Sequence, residues 1–123
     1  MQVLIVDGAN VVGATPNGWW RDRAGAAVKL HHRLLVADTS YDEIFLILEG
    51  KAKAGVPKGR DGHLHTIHAP RDGDSEILSQ TKQALAGGSR VVVITADRAL
   101  QSQVEYAGAQ TMSPSWLLSL LDA

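Results

Sequence analysis

Val3-Leu4-Ile5-Val6 is an unbroken apolar run that stops abruptly at Asp7-Gly8. Its length and β-branched content predict a strand over roughly residues 2–6, buried on both faces. The pattern recurs in Ile44-Phe45-Leu46-Ile47-Leu48, which ends at Glu49-Gly50, and in Val91-Val92-Val93-Ile94-Thr95, which runs towards Asp97. His63-Leu64-His65-Thr66-Ile67-His68 instead alternates polar and apolar, as a half-exposed strand at a sheet edge does. Ala109 to Met112 forms a further short strand.

Helical spacing fills the intervals. Ala24, Ala27, Val28, His31, Leu34 and Leu35 share one face of a helix predicted from about Asp22 to Ala37. Arg21, Arg23, Lys29 and Arg33 leave its other face basic. A second helix opens at Asp72-Gly73-Asp74-Ser75-Glu76, ends near Ala86 and meets a stop at Gly87-Gly88. A third starts at Ala96-Asp97-Arg98, turns Leu100, Val104 and Ala107 inward, and ends at Gly108. Ser113-Pro114 has the form of an N-cap followed by proline at N1, before a last helix carrying Trp116, Leu117, Leu120 and Leu121.

Two stretches lack any apolar period and are predicted to be loops. One runs from Asp7 to Gly18 and contains Gly13, Pro16 and the turn pair Asn17-Gly18. The other covers Lys51 to Gly62. Between Glu49 and Arg60 lie four basic residues and one acid, and an irregular loop of this length is often functional. Strands alternating with helices predict a parallel sheet covered on both faces. The 123 residues fit a single domain, 1–123.

Composition narrows the chemistry. With no cysteine, disulfides, thiolate zinc sites and cysteine nucleophiles are excluded. A metal would have to be held by carboxylate, imidazole or amide groups, which suits magnesium or manganese. The net charge of −1 gives no global field to steer a polyanion, so nucleic-acid affinity would have to come from a local patch. No apolar run reaches the ~18 residues of a membrane span, and the N-terminus lacks the basic and apolar regions of a signal peptide. A soluble, cytoplasmic protein is expected.

Ligands of open parallel sheets bind beyond the carboxyl ends of the strands. Three acids fall on that edge: Asp7 after the first strand, Asp97 two residues beyond Thr95, and Asp74 in the first turn of the middle helix. If the strands that precede Asp7 and Asp97 are neighbours, their ends lie about 5 Å apart. Asp74 and Asp97 could each be no more than helix caps, and Asp7 could bond to amides in its own turn. Capping does not explain why all three share one edge. Trp19 and Trp20 could stack on a base or pack against the first helix. His63 and His65 share a strand face and invite a metal reading, but strand alternation alone explains them, whereas His68 ends its strand on the side where the acids gather.

Asp7-Gly8-Ala9-Asn10 after an apolar strand, Gly73-Asp74-Ser75-Glu76 at a helix start and Thr95-Ala96-Asp97-Arg98 after another strand resemble the NYN branch of the PIN-like nucleases. The resemblance covers residue 2 to about 120. It implies a three-layer α/β/α fold with a five-stranded, mostly parallel sheet of order 3-2-1-4-5. It also implies magnesium or manganese held by acids at the strand ends, and RNA as substrate. Asp7, Asp74 and Asp97 would be the metal ligands, Asn10 the amide of the family's Asp-x-x-Asn motif, and Thr95 the hydroxyl residue two before the last acid. A fourth acid stays open among Glu49, Asp72, Glu76 and Asp22.

The expectation is therefore a metal-dependent endoribonuclease acting on single-stranded RNA. Asp7, Asn10, Asp74 and Asp97 would form its catalytic group, and Thr95, Arg98, Arg21, Lys51, Lys53 and Trp20 would meet substrate. A homodimer or a protein partner could help present RNA. The alternative is an RNA-binding module of the same fold with little or no activity. An aspartyl-nucleophile phosphatase would need a second Asp where Ala9 stands.

Overall fold

The computed structural model describes residues 1–15 and 18–122. The elements run β1 (Gln2–Asp7), α1 (Gly8–Gly13), a 3₁₀ turn (Trp19–Arg21), α2 (Arg23–Val36), β2 (Glu43–Leu48), a second 3₁₀ turn (Gly50–Ala54), β3 (Gly59–Asp61), β4 (Leu64–His68), α3 (Gly73–Ala86), β5 (Arg90–Ile94), α4 (Arg98–Ala107), β6 (Gln110–Met112) and α5 (Pro114–Asp122). Pro16 and Asn17, and with them half of the expected turn pair, lie outside the described residues.

The sheet is mixed and six-stranded, in the order β3-β4-β2-β1-β5-β6. The sheet thus has one strand more than the five expected in the order 3-2-1-4-5. The five strands visible in the hydrophobic pattern stand side by side as β4-β2-β1-β5-β6 and pair in parallel. The extra strand is β3, antiparallel to β4. It has no apolar residue and is fully exposed, so no periodicity marked it. Gly62, in the left-handed region at φ 61°, closes the hairpin. The His63–His68 strand is thus covered by β3 and is not the sheet edge.

The segment expected as the first loop is also partly regular, because Gly8–Gly13 forms a helix. It is less than two turns long and glycine stands at both ends, so it leaves no helical period. Gly8 is required by a close approach: a Cβ there would lie 2.6 Å from the Ile47 carbonyl oxygen. The segment after Glu49 likewise contains a 3₁₀ turn as well as β3.

Strand alternation sorts the core into two layers. Leu4 and Val6 face α1, α2 and α5, with Val11, Ala27, Leu34 and Leu117. Val3 and Ile5 face α3 and α4, with Ile77, Leu100 and Val104. Two helical layers therefore enclose the sheet. The same parity sends the next odd positions, Asp7 and Glu49, towards the α3–α4 side.

The inner face of α2 is rotated from the expected one. Ala26, Ala27, Leu30 and Leu34 are buried, whereas Val28 is 47% exposed. The cause is that α2 packs against α1 and the Gly50–Ala54 turn, neither of which the apolar pattern revealed. Beyond β6, Ser113 Oγ accepts from the Trp116 amide at 3.1 Å and so caps α5. Among the described residues no helix is long and apolar enough to cross a membrane.

Candidate active site

Asp7 ends the central strand with only 3% of its surface exposed. A buried carboxylate is tolerable only when hydrogen bonds replace water. Three do so here. Thr95 Oγ1 donates to Asp7 Oδ2 at 2.9 Å, Asn10 Nδ2 donates to the same oxygen at 2.8 Å, and the Asn10 amide reaches Oδ1 at 3.3 Å. Oδ2 is saturated, while Oδ1 holds a single long bond. Burial raises the Asp7 pKa. The Thr95 and Asn10 bonds oppose that rise, and the charges of Glu49 and Asp97 add to it.

Asn10 is engaged at both ends of its amide. Besides holding Asp7, its Oδ1 accepts from the Ala96 backbone N–H at 3.0 Å. It therefore ties the end of β1 to the start of the β5–α4 connection. Thr95 is fully buried, and its hydroxyl also accepts from the Asp97 N–H at 3.1 Å. This corrects the assignment of Thr95 as a substrate contact: no ligand can reach a hydroxyl with no exposed surface and two internal partners. Thr95 positions Asp7 and Asp97.

Asp97 caps α4, with Oδ1 accepting from the Leu100 N–H at 3.0 Å. Asp74 is different. The cap of α3 is Asp72, which accepts from the Ser75 N–H at 2.8 Å and the Ser75 hydroxyl at 3.2 Å. Those bonds hold the Asp72 pKa down. Capping thus fails to explain Asp74, which stands two residues further on and is exposed. Its pKa is raised to about 6, first by partial burial of the carboxyl, then by the charges of Asp97, Asp7 and Asp72, with a carboxyl–carboxyl hydrogen bond to Asp97.

Glu49 is the fourth acid at this edge. Its Oε2 accepts from the Gly73 N–H at 3.0 Å, so it anchors the start of α3. A Cβ on Gly73 would come within 3.2 Å of Glu49 Oε1, so glycine permits the approach. Of the four acids left open by the sequence, Glu49 is the one whose charge acts on Asp7. Asp22 caps α2 through the Gly25 N–H, and Glu76 accepts from Gln80.

The donor set is all hard oxygen, and the charges of neighbouring acids help raise the pKa of Asp7 and of Asp74. Both facts suit a divalent cation such as magnesium or manganese. Among the described residues, however, no three acids are drawn together as a ready-made ligand group. The carboxylates converge without closing into a cage, as suits an ion that keeps several waters.

Beside the acids lies a cavity of about 390 Å³, whose walls include Trp19, Arg23, Leu48, Glu49 and Arg71. Arg23 lies over the Trp19 ring, 5.4 Å from its centroid. Trp20 is 58% exposed, meets Trp19 edge-on and carries Arg21 above its ring. Neither Trp20 nor Arg21 lines the cavity. Lys51 and Lys53 sit on the second 3₁₀ turn, and Arg98 opens α4 beside Asp97. Arg71 gave no sequence signal, because it sits in an irregular link that carries no period.

The histidines do not converge. His63 Nε2 bonds with the Leu34 carbonyl at 3.0 Å, His68 Nε2 with that of Val56 at 2.7 Å, and His65 stacks on Phe45.

No family model and no curated protein matches the sequence. The fold is similar to that of Rae1 (YacP) from Bacillus subtilis. One crystal structure of that protein matches with a TM-score of 0.79 at 21% identity, covering 99% of this chain and 74% of the other. A point mutant matches with a TM-score of 0.77 at 18% identity, covering 99% and 76%. The likeness shows a shared three-layer α/β fold, compatible with the PIN-like arrangement.

Proposed function

We propose that the chain is a metal-dependent ribonuclease of the NYN/PIN-like kind, hydrolysing phosphodiester bonds of single-stranded RNA. The observation that carries this reading is Asp74. It is an acid with no capping role, and its pKa is raised to about 6 partly by the charges of Asp97 and Asp7. Three elements thus carry acids on the same carboxyl edge of the sheet, where open α/β folds bind ligands. The likeness to Rae1 supports the fold on which the reading depends.

Asp7, Asp74 and Asp97 would hold magnesium or manganese. Bound there, the ion supplies an activated water and offsets charge on the phosphate. The chain's own groups supply geometry. Thr95 and Asn10 fix Asp7 so that Oδ1 is the oxygen with spare capacity. Glu49 fixes the start of α3, and hence the position of Asp74. Arg98, Lys51 and Lys53 stand around this edge as phosphate contacts that hold the strand in register without reading its sequence.

Single-stranded RNA incubated with manganese should be cut by the wild type and spared when a chelator is present. Asp97→Asn should slow cleavage by about 10²–10³-fold, the usual cost of losing one preorganised charge. Equal rates for the two proteins would reject the reading. The openness of the acid group favours the alternative of an RNA-binding module, which would bind RNA in a salt-dependent way and leave it intact.

A further inference from the structure

The cavity beside the acids is not used by the chemistry above, although it opens next to it. Glu49 belongs to both, and Gly8 carries the wall directly on from Asp7. Its composition is specific. Val12 and Leu48 give an apolar side, Trp19 gives an aromatic one, and Arg23 and Arg71 bring two cations to a pocket in an otherwise acidic neighbourhood. At about 390 Å³ it sits near the small end of the ~300–1,000 Å³ range of ligand sites.

These features fit together for one occupant. The Trp19 ring and the Arg23 guanidinium over it are both planar groups lining the cavity, and either can stack a planar, π-rich group. Arginines at the same opening take anions, since the guanidinium fork matches phosphate oxygens. A single unpaired nucleotide has both parts, a base and a phosphate. A peptide side chain lacks the phosphate, and a paired base cannot leave its stack without the cost of unpairing.

We propose that this cavity is a base-binding subsite for one unstacked nucleotide of RNA, adjacent to the acid cluster. The proposal rests on the reading of RNA as the substrate. The Trp19–Arg23 wall receives the base, and Arg71 meets a phosphate of the same strand. The subsite gives the acid edge a means of choosing single strands and of setting which phosphate lies over Asp7, Asp74 and Asp97. Trp20, exposed and outside the cavity, is not the stacking ring of this subsite.

The test is a cycle between protein and RNA. A fluorescent single-stranded oligonucleotide is compared with a series in which one nucleotide at a time is made abasic. Binding is read by anisotropy with chelator present. For the wild type, one abasic position should weaken binding by roughly ten-fold, in keeping with loss of a stacked base. Trp19→Ala should lose about as much with intact RNA, and nothing further at that position. Trp19→Phe should recover most of the loss, which a purely structural role of the residue would not require. Arg71→Gln, an exposed change, should reduce the salt dependence by about one phosphate contact. Losses that multiply, or no sensitive position, would overturn the subsite, as would absence of RNA binding. Cleavage of the same oligonucleotides with manganese separates the two claims. Cutting without coupling to Trp19 rejects only the subsite, and coupling without cutting rejects only catalysis.

Discussion

Asp7 and Asp74 are carboxylates of one cluster, and both are pulled above their ordinary pKa, yet they sit in opposite surroundings. Asp7 is sealed under the end of β1 and takes hydrogen bonds from Thr95 and Asn10. Asp74 is exposed, and the groups acting on its carboxyl are other acids, Asp97 first among them. For Asp7 burial dominates and the protein has already supplied the compensation. For Asp74 part of the upward pull is like charge, which the chain leaves uncompensated. A buried knot that positions and an open rim that still needs a counter-charge are different devices, and only the second calls for a cation.

The largest effect should come from breaking the rim. Asp74→Asn keeps the shape and removes the charge, and cleavage of single-stranded RNA with manganese should fall by about 10²–10³-fold. Circular dichroism should show the fold unchanged.

Breaking the knot should instead cost stability. Thr95→Val and Asn10→Ala each remove a hydrogen bond to a buried carboxylate, worth roughly 1.5–3 kcal/mol in urea unfolding. Because both act on Asp7 Oδ2, the double variant should depart from additivity by 0.5 kcal/mol or more, on the order of coupled neighbours. Additive losses would mean that the knot is two unrelated contacts.

The rim also predicts a pH dependence. The folded-state pKa of Asp74, about 6, lies above the ordinary 3.8, so the folded protein holds this proton more tightly than the unfolded chain does. Stability from this group is full below about 3.8, falls as pH rises, and is lost above about 6. A cation must displace the proton. Its apparent affinity, measured by calorimetry, should therefore weaken by up to about ten-fold per unit as pH drops below 6. A flat profile from pH 5 to 7 would detach Asp74 from the ion.

The smallest effect sharpens the contrast most. In chelator at pH 7.5, Asp74→Asn should raise the melting temperature slightly, by less than about 1 kcal/mol of stability because the group is exposed. The same variant should lose the added stabilisation that manganese gives the wild type. A gain in stability paired with a loss of cation response would mark a site held at the expense of the fold.

Much of this was legible in the chain because the information was local. Val3 to Val6, Ile44 to Leu48 and Val91 to Ile94 declare buried strands by their apolar runs, and Asp72, Gly108 and Ser113 declare helix ends by their caps. The elements that escaped carry no hydrophobic signal of their own. Helix α1 is too short for a period, and β3 is polar throughout and held only by pairing. The acids at the edge followed from strand parity and topology, but three details of the site did not. Which of Asp72 and Asp74 caps α3, whether the Thr95 hydroxyl faces inward, and which acid joins Asp7 are decided by side-chain contacts across elements. Arg71 and the cavity depend on a link with no regular structure, which no pattern along the chain encodes.

The central claim is that the open acids, joined by the free side of Asp7, hold a divalent cation. Crystals soaked in manganese and measured at an energy where the metal scatters anomalously test it directly. The account predicts a peak within coordination distance of Asp7 Oδ1 and Asp97, with Asp74 bound directly or through water, and no peak in Asp74→Asn crystals soaked alike. An empty edge at saturating manganese, with Asp74 still protonated at neutral pH, would contradict it.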